Sequence, residues 1–326
     1  MWERSKNIKH LYGIDGLKGI GACMVAFGGH YQHFNPQTGS AFIDFISFFY
    51  AFSGYCVDFF FMLSGFGMMI GYGARIITNE ISFKEFISRR IKKLYPIFLF
   101  CTVLTIILEI MHLRISGDTF VYKNFDIQHL FMNLLLIQNG YIGTGWSFDG
   151  PSWCISISFF CYMVFYFVLY KAKNKTTSFY VFGVFAILGL AIIASNISVP
   201  ILNSLIGRGV CCFSIGCILS GIYVNRNRFR SKKLGWICLI TAVIVFFIIR
   251  LYPKFAGNFR VAFILGFSPT VLLATVLLPW VNSFLGVLPL RYLGEISIEI
   301  YLLHFPIQCF IKNMELIKIG GGGKLF

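Results

Sequence analysis

Residues 57–70 read VDFFFMLSGFGMMI, a single carboxylate at the head of a run that is otherwise aromatic, aliphatic or small. With its flanks, 56–73, the run has the length of a helix that crosses a bilayer, roughly 17–25 residues. The rest of the chain decides between a membrane and a soluble core. Of its 326 residues 57% are hydrophobic and 18% aromatic, only 13% are charged, and the mean hydropathy is +0.75. Soluble domains carry about 25% charged residues, so this chain lacks the polar surface to face water. It reads as an all-α, polytopic membrane helix bundle.

Further spans are expected at 14–34, 94–111, 152–170, 178–195, 203–224, 235–250, 261–284 and 294–311. The stretch HLFMNLLLIQNG at 129–140 is too short to cross unaided and is expected to be re-entrant or tilted. That makes about ten transmembrane helices, one of them re-entrant. No internal repeat is evident. The first apolar stretch holds Lys18 and is expected to remain as a span rather than to be cleaved as a signal peptide. The expected division is an N-terminal segment at 1–13, one membrane domain at 14–315 and a flexible tail at 316–326. Nearly all ten cysteines fall in apolar segments without zinc-site spacing, so no metal site is expected, and they read as small buried hydrophobes.

The formal charge of +15 does not point to nucleic acid, because the cations sit in short clusters between apolar segments, as cytoplasmic loops do. With the N-terminus inside and 129–140 re-entrant, the inside loops hold eighteen Lys and Arg and the outside loops eight. If 129–140 crosses fully, the split is fifteen to eleven. The charge favours the re-entrant arrangement, which leaves the C-terminus outside.

Ionisable groups within spans are costly and mark function or a buried pair. Those singled out within the expected spans are Asp15, Lys18, His30, Asp58, Arg208, Glu295, Glu299 and His304. Lys18 and His30 lie at opposite ends of the first helix, separated by roughly 18 Å, and mark the two ends of one path. His30 follows Gly28-Gly29, where a ligand or backbone can approach closely. Its imidazole suits proton abstraction from a hydroxyl, or a hydrogen bond between helices. Lys18 alone reads as a snorkelling lysine or as paired with Asp15 at i,i+3. Asp58 is either part of a polar cluster or a carboxylate at a helix N-terminus, stabilised by first-turn amides. In FKEFISRRIKKLYPIF (83–98), Arg89, Arg90, Lys92 and Lys93 crowd the mouth of the third span. They hold the loop inside and meet anionic headgroups, and such a cluster also suits a phosphate-bearing cofactor.

Five stretches in order resemble the acyltransferase-3 family of membrane O-acyltransferases. They are IDGLKGIGACMVAFGGH (14–30), CVDFFFMLSGF (56–66), RRIKKLYP (89–96), WCISISFFCY (153–162) and LGEISIEIYLLHFP (293–306). The resemblance covers nearly the whole chain. It implies about ten helices and transfer of an acyl group, commonly acetyl from acetyl-CoA, to a hydroxyl of a cell-surface glycan or its lipid-linked precursor. The family histidine falls on His30, and an arginine of the same helix on Lys18. An arginine pair falls on Arg89 or Arg90 with Lys93, and a later arginine on Arg208. One position departs: the glutamate of the fourth motif is Ser158 here. Glu299 is a conceivable substitute, although a salt bridge explains it more simply.

The resemblance therefore implies a multi-pass cell-membrane enzyme with a cytoplasmic N-terminus. Acyl-CoA would dock on Arg89, Arg90, Lys92 and Lys93, and its arm would pass Lys18. His30 would act as base or transient acyl carrier, with Asp58 in the polar cluster around it. Trp153, Arg208 and His304 would line or support the substrate path. A different class remains open: a glycan or lipid transporter or flippase, which buried polar groups between helices suit equally. A purely structural membrane subunit would leave the ordered motifs unexplained.

Overall fold

The computed structural model describes residues 10–29, 41–138, 145–195, 197–200, 202–228, 231–251 and 260–320. The described residues are helical apart from loops, a single bridge between Asn124 and Ser147, and a two-residue antiparallel ladder, Ser198–Val199 with Leu202–Asn203. Among the described residues, seven helices are long and apolar enough to cross a membrane.

Helix α1 (Tyr12–Cys23) continues into a π-helical stretch, Met24–Gly29. The second helix, α2 (Ala41–Ile77), is much longer than the expected span, because the stretch ahead of residue 56 is apolar enough to continue it. Next, α3 (Phe83–Ser116) is capped by Ser82, whose hydroxyl accepts from the Glu85 amide, and it ends on Gly117 at φ +80°, the left-handed turn that glycine allows. The short α4 (Ile127–Leu134) starts on an Asp126 cap. After it come α5 (Trp153–Ala172), α6 (Lys175–Ser195), α7 (Ser204–Val224) and α8 (Ser231–Leu251). Then α9 (Arg260–Ala262), a π-helical turn (Phe263–Phe267) and α10 (Ser268–Leu277) follow one another directly. Two short helices, α11 (Pro279–Leu285) and α12 (Leu288–Glu295), lead into α13 (Ser297–Gly320). That last helix runs through 316–320, where a tail is expected from sequence.

Packing contacts give each helix a direction. Met24 meets Cys56 and Gly21 faces Phe60, so α1 and α2 are antiparallel. Phe61 packs on Trp153, Ser64 bonds Tyr162, and Tyr166 donates to the Ile81 carbonyl, so α2 and α5 are parallel. Since α3 returns antiparallel to α2 (Arg90 beside Met68, Phe86 beside Tyr72), α5 also runs opposite to α3. The excursion 117–152 therefore leaves and re-enters on one side. At eight residues, α4 is about 12 Å long and cannot cross; the Tyr95 hydroxyl holds its end through the Leu134 carbonyl. Phe120 and Tyr122 of the same excursion lie inside the bundle, against Glu109 and Phe305.

Central in the bundle is α7, buried over most of its length, whereas α6 and α8 expose most of theirs. The α2–α7 crossing is tight enough to require glycine. A Cβ on Gly65 would stand 2.0 Å from the Phe213 carbonyl oxygen, and one on Gly216 2.0 Å from that of Met62. Close backbone approach of this kind is how helices pack where lipid competes for every apolar surface. Gly67 and Gly71 of the same helix, by contrast, face open space. The cysteines are free, eight of them buried and Cys23 and Cys154 half-buried.

Candidate active site

A cavity of about 380 Å³ lies between α1, α2, α3, α5 and α13. Along α2 its lining runs from Tyr72 to Val57, about 22 Å of helix. One end is basic. Arg90 donates to the Tyr72 hydroxyl at 2.5 Å and covers that ring at 4.8 Å. Lys93, a turn further on the same face, also lines the cavity, as does Lys18, which is paired with Asp15 at 3.1 Å as the i,i+3 spacing predicts. Of the four cations at the mouth of the third span, then, two face inward. Arg89 is held at 2.8 Å by Glu85 on an exposed face, and Lys92 does not line the cavity; Lys93 lines it while remaining exposed at the mouth. Gly67 leaves room in the cavity wall, where a side chain would narrow it.

Towards the other end the lining turns apolar and aromatic, with Phe60, Phe61, Cys154 and Tyr301. Ser158 lines the cavity too, its hydroxyl turned back to the Cys154 carbonyl at 2.8 Å. Glu299 reaches the same space without an ion pair among the described residues, and its buried Oε2 has no hydrogen-bond partner. Among the described residues the salt bridge expected for it is not formed, so Glu299 adds a carboxylate beside Ser158, where that position supplies none, and Glu295 lines the same cavity while paired with Arg291.

Asp58 does not begin a helix. It lies seventeen residues inside α2, roughly 25 Å from its start, because the helix extends back to Ala41. No first-turn amides are free there, and what holds the carboxylate is Arg208 of α7. Its Nε donates to Asp58 Oδ1 at 2.6 Å and its Nη2 to the Gly54 carbonyl at 3.0 Å, and the guanidinium covers the Trp153 ring at 5.0 Å. Arg260 stands 3.8 Å from the second carboxylate oxygen and over Tyr55. The pair is almost wholly buried. Trp153 thus backs Arg208 and is not among the residues that line the cavity.

His304, buried in α13, donates from Nδ1 to the Tyr301 carbonyl, which fixes the orientation of the ring. It packs against the Tyr301 ring at 5.8 Å. His30 lies outside the described residues. The helix leading to it ends in the π-helical stretch Met24–Gly29, a local widening frequent at functional sites. Near its end, the Gln308 amide of α13 contacts the Ala26 carbonyl.

Sequence reasoning missed four ionisable groups. Arg260 reads as a loop cation, and Glu109 and His112 fall at the edge of an expected span. In the structure Glu109 accepts from the Phe120 amide and His112 donates to Asn313. Asp149, in SFDGPSW just ahead of α5, reads as a loop acid but is fully buried.

A family model described as "Acyltransferase domain" matches residues 11–316. The chain belongs to the acyltransferase-3 family. Among curated members of wider similarity, it is 26% identical to the "Putative peptidoglycan O-acetyltransferase YrhL" of Bacillus subtilis, over 94% of this chain and 50% of that protein. It is 25% identical to "O-acetyltransferase OatA" of Staphylococcus aureus, over 95% of this chain and 53% of that one. The chain therefore spans about half the length of these relatives. No solved structure matches it.

Proposed function

We propose that the protein is a membrane-embedded O-acetyltransferase that takes acetyl from acetyl-CoA on the cytoplasmic side and passes it to a hydroxyl of a cell-surface glycan of the peptidoglycan kind. The observation that carries this reading is the single cavity joining Lys18, Arg90 and Lys93 to Cys154 and Tyr301. Acetyl-CoA would anchor its phosphates on Arg90 and Lys93, with Arg89 and Lys92 adding field rather than contact. Its pantetheine arm would follow α2 past Lys18. The cytoplasmic assignment of this mouth rests on the basic N-terminal segment and the basic loops 74–93, 171–175 and 225–233 on one face, where positive charge is retained.

The transfer itself needs a proton acceptor. His30 is proposed either to take the hydroxyl proton while the alcohol oxygen attacks the thioester carbonyl, or to carry the acetyl group on a ring nitrogen. In both routes the C–S bond breaks and the CoA thiolate receives the proton. His304 would support the acceptor side. Asp58 would act through Arg208, holding the guanidinium against Trp153.

Membranes supplied with labelled acetyl-CoA test the reaction. Wild type should label glycan and His30→Ala should not; equal labelling of both would remove His30 from the chemistry. Acetyl-CoA should also raise the melting temperature of the detergent-purified protein. Combined Arg90→Gln and Lys93→Gln should erase that rise, and Arg89→Gln with Lys92→Gln should leave most of it. A transporter would show neither labelling nor the donor-induced rise.

A further inference from the structure

Asp149 is fully buried, and neither carboxylate oxygen has a hydrogen-bond partner. Protonated or ionised, such a group keeps lone pairs without donors, a cost that native structures meet with ordered water, a bound ligand or a functional role. Its surroundings indicate which ligand. The Tyr122 ring lies so close to the backbone beside it that a Cβ on Gly150 would be 2.3 Å from the ring. Tyr122 stacks on Trp146 at 6.3 Å, and Trp146 meets Trp153 edge-on at 6.1 Å. Trp146 is 39% exposed and is the member of the set that is open to its surroundings. On the other side, Cys154 lies five residues along the chain from Asp149 and, with Tyr301, lines the apolar end of the donor cavity. Tyr301 is fastened to this same turn through the Pro151 carbonyl at 2.9 Å.

A carboxylate that accepts hydroxyl or amide protons, beside aromatic faces on which the C–H side of a sugar ring can stack, is the chemistry that recognises a carbohydrate. We propose that Asp149, with Tyr122 and Trp146, forms the subsite for the acceptor sugar. The carboxylate binds a hydroxyl or amide N–H neighbouring the hydroxyl that is acylated, and so presents that hydroxyl to the thioester end of the donor cavity. The sugar enters from the Trp146 side and the donor from the basic side. This rests on the acyl-transfer reading above.

The test uses the full chain in membranes with labelled acetyl-CoA and the glycan present there. Asp149→Asn should lower labelling at saturating donor by on the order of tenfold or more. The half-saturating acetyl-CoA concentration and the donor-induced melting rise should stay within about twofold of wild type. Because the substitution replaces a buried carboxyl whose oxygens already lack hydrogen-bond partners, the variant without substrate should melt no lower than wild type. Trp146→Ala should reproduce the loss and Trp146→Phe should recover much of it. Undiminished labelling in Asp149→Asn overturns the proposal, and so does a loss of donor binding or a lower melting temperature that accounts for the lost activity. Wild type that labels no glycan at all sinks the acyl-transfer reading, and this subsite with it.

Discussion

Asp58 and Arg208 stand 150 positions apart in the chain and 2.6 Å apart in the fold. Each is costly to bury alone, so removing either leaves the other uncompensated. Asp58→Asn or Arg208→Gln should each destabilise by about 3–5 kcal/mol, read as a lower melting temperature in detergent. The double substitution Asp58→Leu with Arg208→Met should recover much of that loss. Additive losses in the double variant would mean that the two groups do not depend on each other. At this scale the sequence is readable where partners are close along a helix. The Asp15–Lys18 bridge follows from an i,i+3 spacing, and the inward pair Arg90 and Lys93 from the same spacing once one cavity face is known. The partner of Asp58 is not readable, since no local pattern links 58 to 208. Asp149 is hidden for a related reason: Gly150 and Pro151 mark a turn, and only the packing of Tyr122 and α5 shows that the turn is inside the bundle.

Among the elements, α2 combines two demands along one surface. Gly65 permits the crossing with α7, while Gly67 opens the wall of the cavity. Gly65→Ala and Gly216→Ala should each cost about 1–3 kcal/mol or more through overpacking against a carbonyl oxygen. Gly67→Ala meets nothing within 4 Å and should be neutral or stabilising by up to about 1 kcal/mol, the helix propensity gained. Thermal unfolding of the three purified variants compares them directly, and a Gly65→Ala protein as stable as Gly67→Ala would contradict the crossing. Composition alone could not sort these glycines, because a run of small residues looks the same whether its neighbour is a helix or a void. Helix existence was legible, as apolar length suffices for it. Helix ends were not: α2 begins at Ala41 although the expected span starts at 56, because apolar sequence alone does not mark where a helix stops, and the polar caps Ser82 and Asp126 lie outside the apolar windows.

For the whole molecule, the directions of the helices place the start of α1 and the end of α13 on opposite faces. Gly13 bonds Asn282 at one face, and Asn313 bonds Leu108 and His112 near the far end of α3. Single cysteines introduced at Asn174 and Asp118 in a cysteine-free background should be labelled by a membrane-impermeant reagent from opposite sides. Labelling of both from one side would refute the arrangement. The distribution of positive charges along the chain favours the same topology, because the two alternatives differ in where the cations fall.

The brevity of α4 therefore governs the threading of everything after it. Were that eight-residue helix lengthened into a complete pass, α5 and each later helix would be inverted. Arg208 would then descend on α7 from the wrong end and miss Asp58, and Tyr301 would no longer share a wall with Arg90. Insertions between 127 and 134 should thus be tolerated far less than their distance from the cavity suggests.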